Sequence, residues 1–346
     1  MLSLIARRLP RERYEAVVAL PDRPALAGTF AELEEAGIQT ERLVNVGDAH
    51  PRAVPEFRAL LARRRPDLVH FHLPFPGAGR WQLGAAWLAR VPVIATEHDP
   101  FPVAGVKKLA KRLTLSWTRH TVVNSDWARE LMLREYGLPL GRVTRIWNGI
   151  EPALFQGGTA IPEHRPHSLV LLTNATLHPR KGIATELEAL RLIRDAFPDV
   201  LLLVFGSGDP APLLSQARQL GVDEQVRFLG MPLELLADLY ATCDMLVQPS
   251  LREAFGLAVV EAMAAGKPVV ATEVGGHVDT VARGETGFLV PPADPAALAA
   301  AVLRLARDPG LRARMGAAGA DRVAAHFTGA RMAERTAALY DEVLKA

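Results

Sequence analysis

The sequence predicts an α/β protein of two successive domains, each a doubly wound parallel sheet. Two observations predict it. Short apolar runs alternate with helical patterns along the chain, as parallel strands joined by crossover helices do. The alternation halts once, between Pro152 and Pro166, where three prolines and the adjacent Gly157 and Gly158 mark a linker. It then restarts. At 346 residues the chain is long enough to bury two sizeable cores.

In order, the first half predicts the end of an amphipathic helix at Leu2–Leu9 and a strand at Tyr14–Leu20. A helix near Thr29–Ala36, a strand near Leu43–Val46 and a helix near Pro51–Arg65 follow. Next come a strand at Asp67–His72, a helix around Trp81–Ala89 and a strand at Val93–Glu97. A helix at Val103–Arg119, a strand at Thr121–Asn124, a helix capped by Ser125 and a strand at Val143–Trp147 close the half. The second half predicts strands at Leu169–Thr173, Val200–Phe205, Val226–Leu229, Met245–Gln248, Val269–Thr272 and Phe288–Val290, with helices between them and at the C-terminus. Two sheets of this kind bind ligand at the carboxyl ends of their strands, across a cleft.

Composition narrows the class. Hydrophobic residues make up 49% and charged residues 23%, and no apolar run reaches the 18 or so residues of a membrane span. The start, Met-Leu-Ser-Leu-Ile-Ala-Arg-Arg, lacks the apolar core and cleavage site of a secretory leader. Cys243 is the only cysteine, so an intrachain disulfide is excluded and a reducing, cytoplasmic setting is expected. The net charge of +2 divides unevenly: residues 1–160 hold 22 Lys/Arg against 16 Asp/Glu, and the remainder 18 against 22. No nucleic-acid footprint is evident. The basic first half suggests an anionic partner, a phospholipid surface or a phosphorylated acceptor.

The stretch Pro249–Gly266 organises the second half. Apolar runs flank it, so it reads as strand, loop, helix, strand. Glu253 falls where loop meets helix and Glu261 two turns inside, roughly 12 Å further along the axis. Between them the amides of Ala254, Phe255, Gly256 and Leu257 and the positive end of the helix dipole suit a phosphate. Gly256 leaves room for close approach to the backbone. A diphosphate flanked by two hydroxyl-rich groups fits this layout, which describes a nucleotide-activated sugar. A solvated amphipathic helix is the plain alternative.

With its Phe-Gly-Leu centre and Ala-Gly-Lys-Pro-Val-Val exit, this Glu-x7-Glu segment resembles the signature of the retaining glycosyltransferases of family 4, the group 1 glycosyl transferases. The resemblance implies the GT-B architecture: a first, acceptor domain at 1–155, a second, nucleotide-sugar donor domain at 166–328, and a helix at 329–346 that crosses back to the first domain. It implies transfer of a sugar to a hydroxyl acceptor (a lipid-linked sugar, a polysaccharide or a small molecule). Retention of configuration and independence from metal are implied as well. The donor would be a UDP-, GDP- or ADP-sugar, with no further cofactor.

Lys181, in Leu177-His-Pro-Arg-Lys-Gly182, matches the family lysine that neutralises the donor diphosphate. The companion arginine falls on Thr176, a departure that leaves Arg180 as the neighbouring cation. Glu261 matches the ribose-binding glutamate and Glu253 the one that holds sugar hydroxyls. Gly206, in Gly206-Ser-Gly208, opens a tight turn that the family places near the donor; a plain turn is the alternative. His98, at the end of Ala95-Thr-Glu-His-Asp99, matches a histidine near the transferred sugar, where it can donate to an oxygen as charge develops. The catalytic set expected is therefore His98, Lys181 and Glu253.

No Asp-x-Asp occurs, which argues against a metal held on the diphosphate by carboxylates. His70 and His72 share a strand face but lack a third ligand. The helix Val103–Arg119 carries Lys107, Lys108, Lys111 and Arg112 among apolar residues. It reads either as a domain helix with a solvated basic face or as a peripheral contact with anionic membrane at the inner face. Family members also begin with a strand and a glycine-rich loop that this chain lacks, so the first strand of the N-terminal domain is expected to be missing. A non-catalytic nucleotide-sugar-binding subunit and a GT-B nucleotide-sugar epimerase are the rival functions.

Overall fold

The computed structural model describes residues 1–44, 52–75, 78–164 and 166–345. The chain forms two compact units, Met1–Gly149 together with Gly329–Ala346, and Ile150–Thr328. Val46 and Pro51 of the expected strand and helix, Arg165 of the linker and Ala346 of the closing helix lie outside the described residues.

The first unit carries two parallel sheets. Strands β1 (Val17–Pro21) and β2 (Gln39–Leu43) pair with each other. Strands β3 (Val69–Leu73), β4 (Val93–Glu97), β5 (His120–Val123) and β6 (Val143–Arg145) form a second sheet in that order. No ladder joins the two sheets among the described residues. The helix Leu2–Arg8 packs on both. Its Ile5 joins Ile94 and Val122 of the larger sheet, and its Ala6 joins Val18 and Leu33 beside the smaller one. The helix Gly329–Lys345 adds Met332, Leu339, Tyr340 and Val343 to the Ile5 cluster.

The strand expected from Leu43 onward is instead β2, ending at Leu43. Its Gln-Thr-Glu-Arg-Leu sequence lacks an apolar run, and its pairing is set by alignment with Val17–Pro21.

Lys111 corrects the reading of the basic helix. The helix runs Gly105–Ser116, and Lys111 points inward, 3% exposed, to an ion pair with Glu97 at 2.9 Å. Its ammonium also lies 4.6 Å from the centre of the Tyr136 ring. The outer face carries Val106, Leu109 and Leu113, which are 84%, 69% and 55% exposed, beside Lys107 and Arg112. The exposed surface is therefore apolar and basic together, rather than basic alone.

The second unit is one six-stranded parallel sheet. Its strands are β7 (Val170–Asn174), β8 (Leu201–Phe205), β9 (Val226–Gly230), β10 (Met245–Gln248), β11 (Val269–Thr272) and β12 (Gly287–Val290). Their spatial order is β9-β8-β7-β10-β11-β12. The chain runs outward from β7 to one edge, then returns to β10 and runs to the other. The reversal falls between β7 and β10, where sheets of this order bind their ligands. Strands β8, β10 and β11 are buried throughout, which explains why they read as unbroken apolar runs.

Glu186 lies buried under this sheet on the helix Ile183–Arg194. The Thr173 hydroxyl is 2.6 and 2.8 Å from its two carboxyl oxygens and 2.9 Å from the Val247 carbonyl. One hydroxyl proton cannot serve both acceptors, so a protonated Glu186 donates to Thr173, which donates to Val247. Burial pushes the carboxyl up to about 8, against the pull of the Thr173 bond. The folded state thus holds its proton more tightly than the unfolded one. The resulting stability is complete below the unfolded value of 4.5 and is lost as pH rises through about 8. The slope in that window reaches about 1.4 kcal/mol per pH unit. Glu186→Gln, neutral at every pH, should flatten this part of the profile. Melting temperatures from pH 5 to 8.5 check it, and a slope equal to wild type contradicts it.

Candidate active site

Two loops leave the sheet at the point of reversal. One follows β7 and carries Ala175–Lys181; the other follows β10 and carries Pro249–Gly256. Backbone bonds staple them together: the Arg180 carbonyl accepts from the amides of Leu251 (2.7 Å) and Arg252 (3.4 Å). Gly182, with φ of 69°, makes the close approach feasible. A Cβ there would lie 1.9 Å from the Pro249 carbonyl oxygen. The preceding residues form a tight turn, Pro179–Lys181, in which Pro179 fixes the first position and the His178 ring accepts from the Arg180 amide.

That turn aims Lys181 at Glu253. The ammonium and carboxylate are 2.6 Å apart, each side chain 13% exposed. Buried Ser250 adds a hydroxyl to the same carboxyl oxygen at 3.3 Å. Burial alone would raise the Glu253 carboxyl, but the paired Lys181, with Arg180 nearby, holds it below its ordinary value. Glu253 stays ionised, and Lys181 is held in the loop facing the helix start.

The helix Leu257–Ala264 begins immediately after, with Gly256 at its cap in the left-handed region, φ 92°. The amides of Val259 and Val260 donate to the Gly256 carbonyl at 3.1 and 3.3 Å, and the N–H groups ahead of them make an anion-binding end. Ala254 and Phe255 turn inward, Phe255 packing edge-on against Phe327 at 5.9 Å. They contribute backbone to the loop surface, not side chains.

Glu261 sits further along this helix. Its Oε2 accepts from the Tyr240 hydroxyl at 2.9 Å and from Asn174 Nδ2 at 3.0 Å. Asn174 also donates to the Tyr240 oxygen at 3.0 Å. Burial raises the Glu261 carboxyl while these two bonds pull it down. One oxygen is thereby locked.

Gly206 follows β8, where its amide donates to the Gly230 carbonyl at 2.7 Å. A Cβ on it would lie 1.9 Å from the Ala175 carbonyl. The glycine thus lets one strand-end loop pack on the other. Thr176, in the arginine position of the family pattern, is exposed. Arg252 is exposed too.

His98 belongs to the first unit, just past β4. Its Nε2 is 2.9 Å from His72 Nδ1. His70 bonds Tyr340 and Thr96, each at 2.7 Å. Burial lowers His98 to about 4 and His70 to about 3, so both rings are neutral. His98 Nε2 and both His70 nitrogens bond other side chains, and among the described residues no group of three His, Cys, Asp or Glu is arranged to hold a metal ion.

Comparison with known proteins identifies the family. The pattern of the family Glycosyl transferases group 1 matches residues 160–322, and that of Glycosyltransferase Family 4 matches residues 2–154. A phosphatidyl-myo-inositol mannosyltransferase of Mycobacterium leprae is 33% identical over 264 residues, 74% of this chain and 68% of that protein. The chain belongs to the group 1 glycosyltransferases. A second relative of this group 1 glycosyltransferase is a D-inositol 3-phosphate glycosyltransferase of Corynebacterium efficiens. It is 30% identical over 308 residues, 81% of this chain and 72% of that one. Among solved structures, Anabaena HepE in complex with UDP superposes with a TM-score of 0.83 at 22% identity, covering 99% of this chain and 95% of that one. The shared fold is GT-B, two Rossmann-like domains.

Three residues packed around the candidate site were not anticipated from sequence: Asn174, Tyr240 and His277. Asn174 ends β7 and His277 follows Gly275–Gly276 after β11, so a polar residue at a strand's carboxyl end was the available signal. Tyr240 gave none, because an aromatic residue on an apolar helix face reads as core.

Proposed function

We propose that this glycosyltransferase moves a sugar from a nucleotide-diphosphate sugar to a hydroxyl acceptor, with retention of configuration and without a metal. One observation carries the reading: Lys181 and Glu253 are paired beside the amide-rich start of Leu257–Ala264, with Glu261 held ready further along the helix. A diphosphate there takes Lys181 and the first-turn amides. Glu261 receives the ribose hydroxyls on its unlocked oxygen, and Glu253, released from Lys181, holds the sugar hydroxyls. Arg180 adds positive potential, and Gly206 shapes the loop floor. As the bond to the sugar breaks, charge grows on the diphosphate, and Lys181 with the Ala254–Leu257 amides stabilises it. No carboxylate is assigned as a covalent nucleophile. The leaving diphosphate itself helps deprotonate the acceptor, on the same face of the sugar. His98 keeps the role that the family gives it, a hydrogen bond to the transferred sugar.

The acceptor we favour is a lipid-borne inositol phosphate. Relatives named for phosphatidyl-myo-inositol and for D-inositol 3-phosphate support a phosphorylated polyol. The exposed Val106, Leu109 and Leu113 beside Lys107 and Arg112 support an anionic lipid surface as its carrier. No helix among the described residues is long and apolar enough to cross a membrane. The test is a turnover panel of UDP-, GDP- and ADP-sugars against phosphatidylinositol in vesicles and against free inositol phosphate. One donor is expected to give an α-configured product on the vesicles and much less with the free acceptor. A donor epimerised without acceptor would support the epimerase reading. Binding without any turnover would support a non-catalytic subunit.

A further inference from the structure

His277 has no part in the reaction described above, yet it sits behind the loop that would hold the donor. It opens the short helix His277–Thr280 after β11 and is completely buried. Its Nδ1 is 3.0 Å from the Thr272 carbonyl oxygen. A carbonyl only accepts, so Nδ1 carries the hydrogen and Nε2 of the neutral ring is a bare lone pair. That Nε2 is buried and has no partner among the described residues. A buried acceptor left unpaired is costly, so its presence calls for an explanation.

The ring's direction supplies one. A Cβ placed on Gly256 would lie 2.7 Å from His277 Cδ2 and 3.2 Å from Nε2. The unpaired edge therefore faces the backbone of the helix cap, the segment that offers its amides to a phosphate. Two charged side chains act on the ring from neighbouring loops with opposite signs, Glu253 favouring its protonation and Lys181 opposing it. At the far end of the same short helix, Arg322 bonds the carbonyls of Asp279 and Thr280, and the Asp279 carboxylate belongs to the element itself. Burial outweighs the pull of Glu253 and of the Thr272 carbonyl, Lys181 adds to it, and the ring is neutral.

We propose that His277 takes up a proton at Nε2 when a diphosphate binds at the start of Leu257–Ala264, placing a third positive charge behind the donor. This rests on the donor-site reading above. The diphosphate brings at least two negative charges and draws Lys181 away from Glu253. The field at the ring then becomes strongly negative in a medium where charges are poorly screened. The proton comes from solvent, imidazole becoming imidazolium, with no bond to the ligand formed or broken. The imidazolium compensates both the freed Glu253 and the incoming phosphates. Donor affinity then falls as pH rises past the point at which the bound-state ring loses its proton.

Calorimetric titration of UDP, GDP and ADP into wild type and His277→Asn, near pH 7.5 in two buffers of different ionisation enthalpy, counts the protons. Asparagine keeps a donor for the Thr272 carbonyl and removes Nε2, and subtracting the variant cancels ionisation of the nucleotide itself. For the nucleotide that binds, wild type is expected to take up roughly half to one proton more than the variant and to bind roughly tenfold more tightly. Nitrogen NMR of the His277 ring in wild type gives a readout independent of the variant: Nε2 should change from acceptor to protonated on nucleotide addition. Equal uptake in both proteins, or an Nε2 that stays an acceptor when saturated, overturns the inference and leaves the donor site standing. Failure of all three nucleotides to bind overturns the donor-site reading, and this inference falls with it.

Discussion

Lys181→Ala is expected to lower kcat by about 10²–10³-fold, the cost of removing one preorganised group that stabilises a developing oxyanion. The lysine is fixed before the ligand arrives. Pro179 and Gly182 bracket its turn, and the Arg180 carbonyl ties that turn to Leu251 and Arg252. Little reorganisation is then needed when charge grows on the leaving diphosphate. Lys181→Arg is not a conservative exchange here, because a planar fork replaces a compact ammonium in a site only 13% exposed. The alanine variant also strands the Glu253 carboxylate, so melting temperature must be read beside the kinetics. The exposed Arg252, replaced by alanine, serves as the control and is expected to change kcat by less than about threefold. A Lys181→Ala enzyme within the same factor of wild type would remove the lysine from the chemistry.

Lys111→Met is expected to destabilise the first unit by about 3–5 kcal/mol, because it leaves Glu97 buried without its cation. Both side chains of the pair are 3% exposed. Burial already raises the Glu97 carboxyl against the pull of Lys111, and without the lysine only burial and the Asp99 charge remain, both raising it further. That loss corresponds to a fall in melting temperature of roughly 6–20 °C. Adding Glu97→Leu should recover most of it, since a buried ion pair replaced by apolar residues is often close to neutral. Thermal melts of the two variants decide the matter. Equal stability of Lys111→Met and wild type would contradict the buried pair.

The same lysine shows where sequence reading ran out. Helical periodicity separates apolar from charged positions and assigns cations to water. Lys111 shares its face with Leu115 four residues on, and its partner Glu97 lies on a strand that periodicity cannot place beside it. The second sheet was legible because strands such as β8 and β10 are buried on both faces and contain almost nothing polar. Strand β2 was misplaced because it is a polar edge strand whose position depends on pairing with β1. Lys181, Glu253 and Glu261 stood out as candidates because of the loop and helix that carry them. The residues that hold those side chains in place, Tyr240 and Asn174 on Glu261 and Ser250 on Glu253, depend on contacts between distant segments. Only the fold brings them together.

The most direct measurement is the affinity of UDP, GDP, ADP and inorganic pyrophosphate for wild type, Glu261→Ala and Lys181→Ala by calorimetry. If the residues from 253 to 261 form a diphosphate site with a ribose clamp, one nucleotide binds wild type with a dissociation constant on the order of micromolar, and Glu261→Ala weakens it about tenfold to a hundredfold. Pyrophosphate, which has no ribose, should bind Glu261→Ala as it binds wild type and should be lost in Lys181→Ala. A Glu261→Ala protein that binds every nucleotide as tightly as wild type, or a wild type that binds none, contradicts the account.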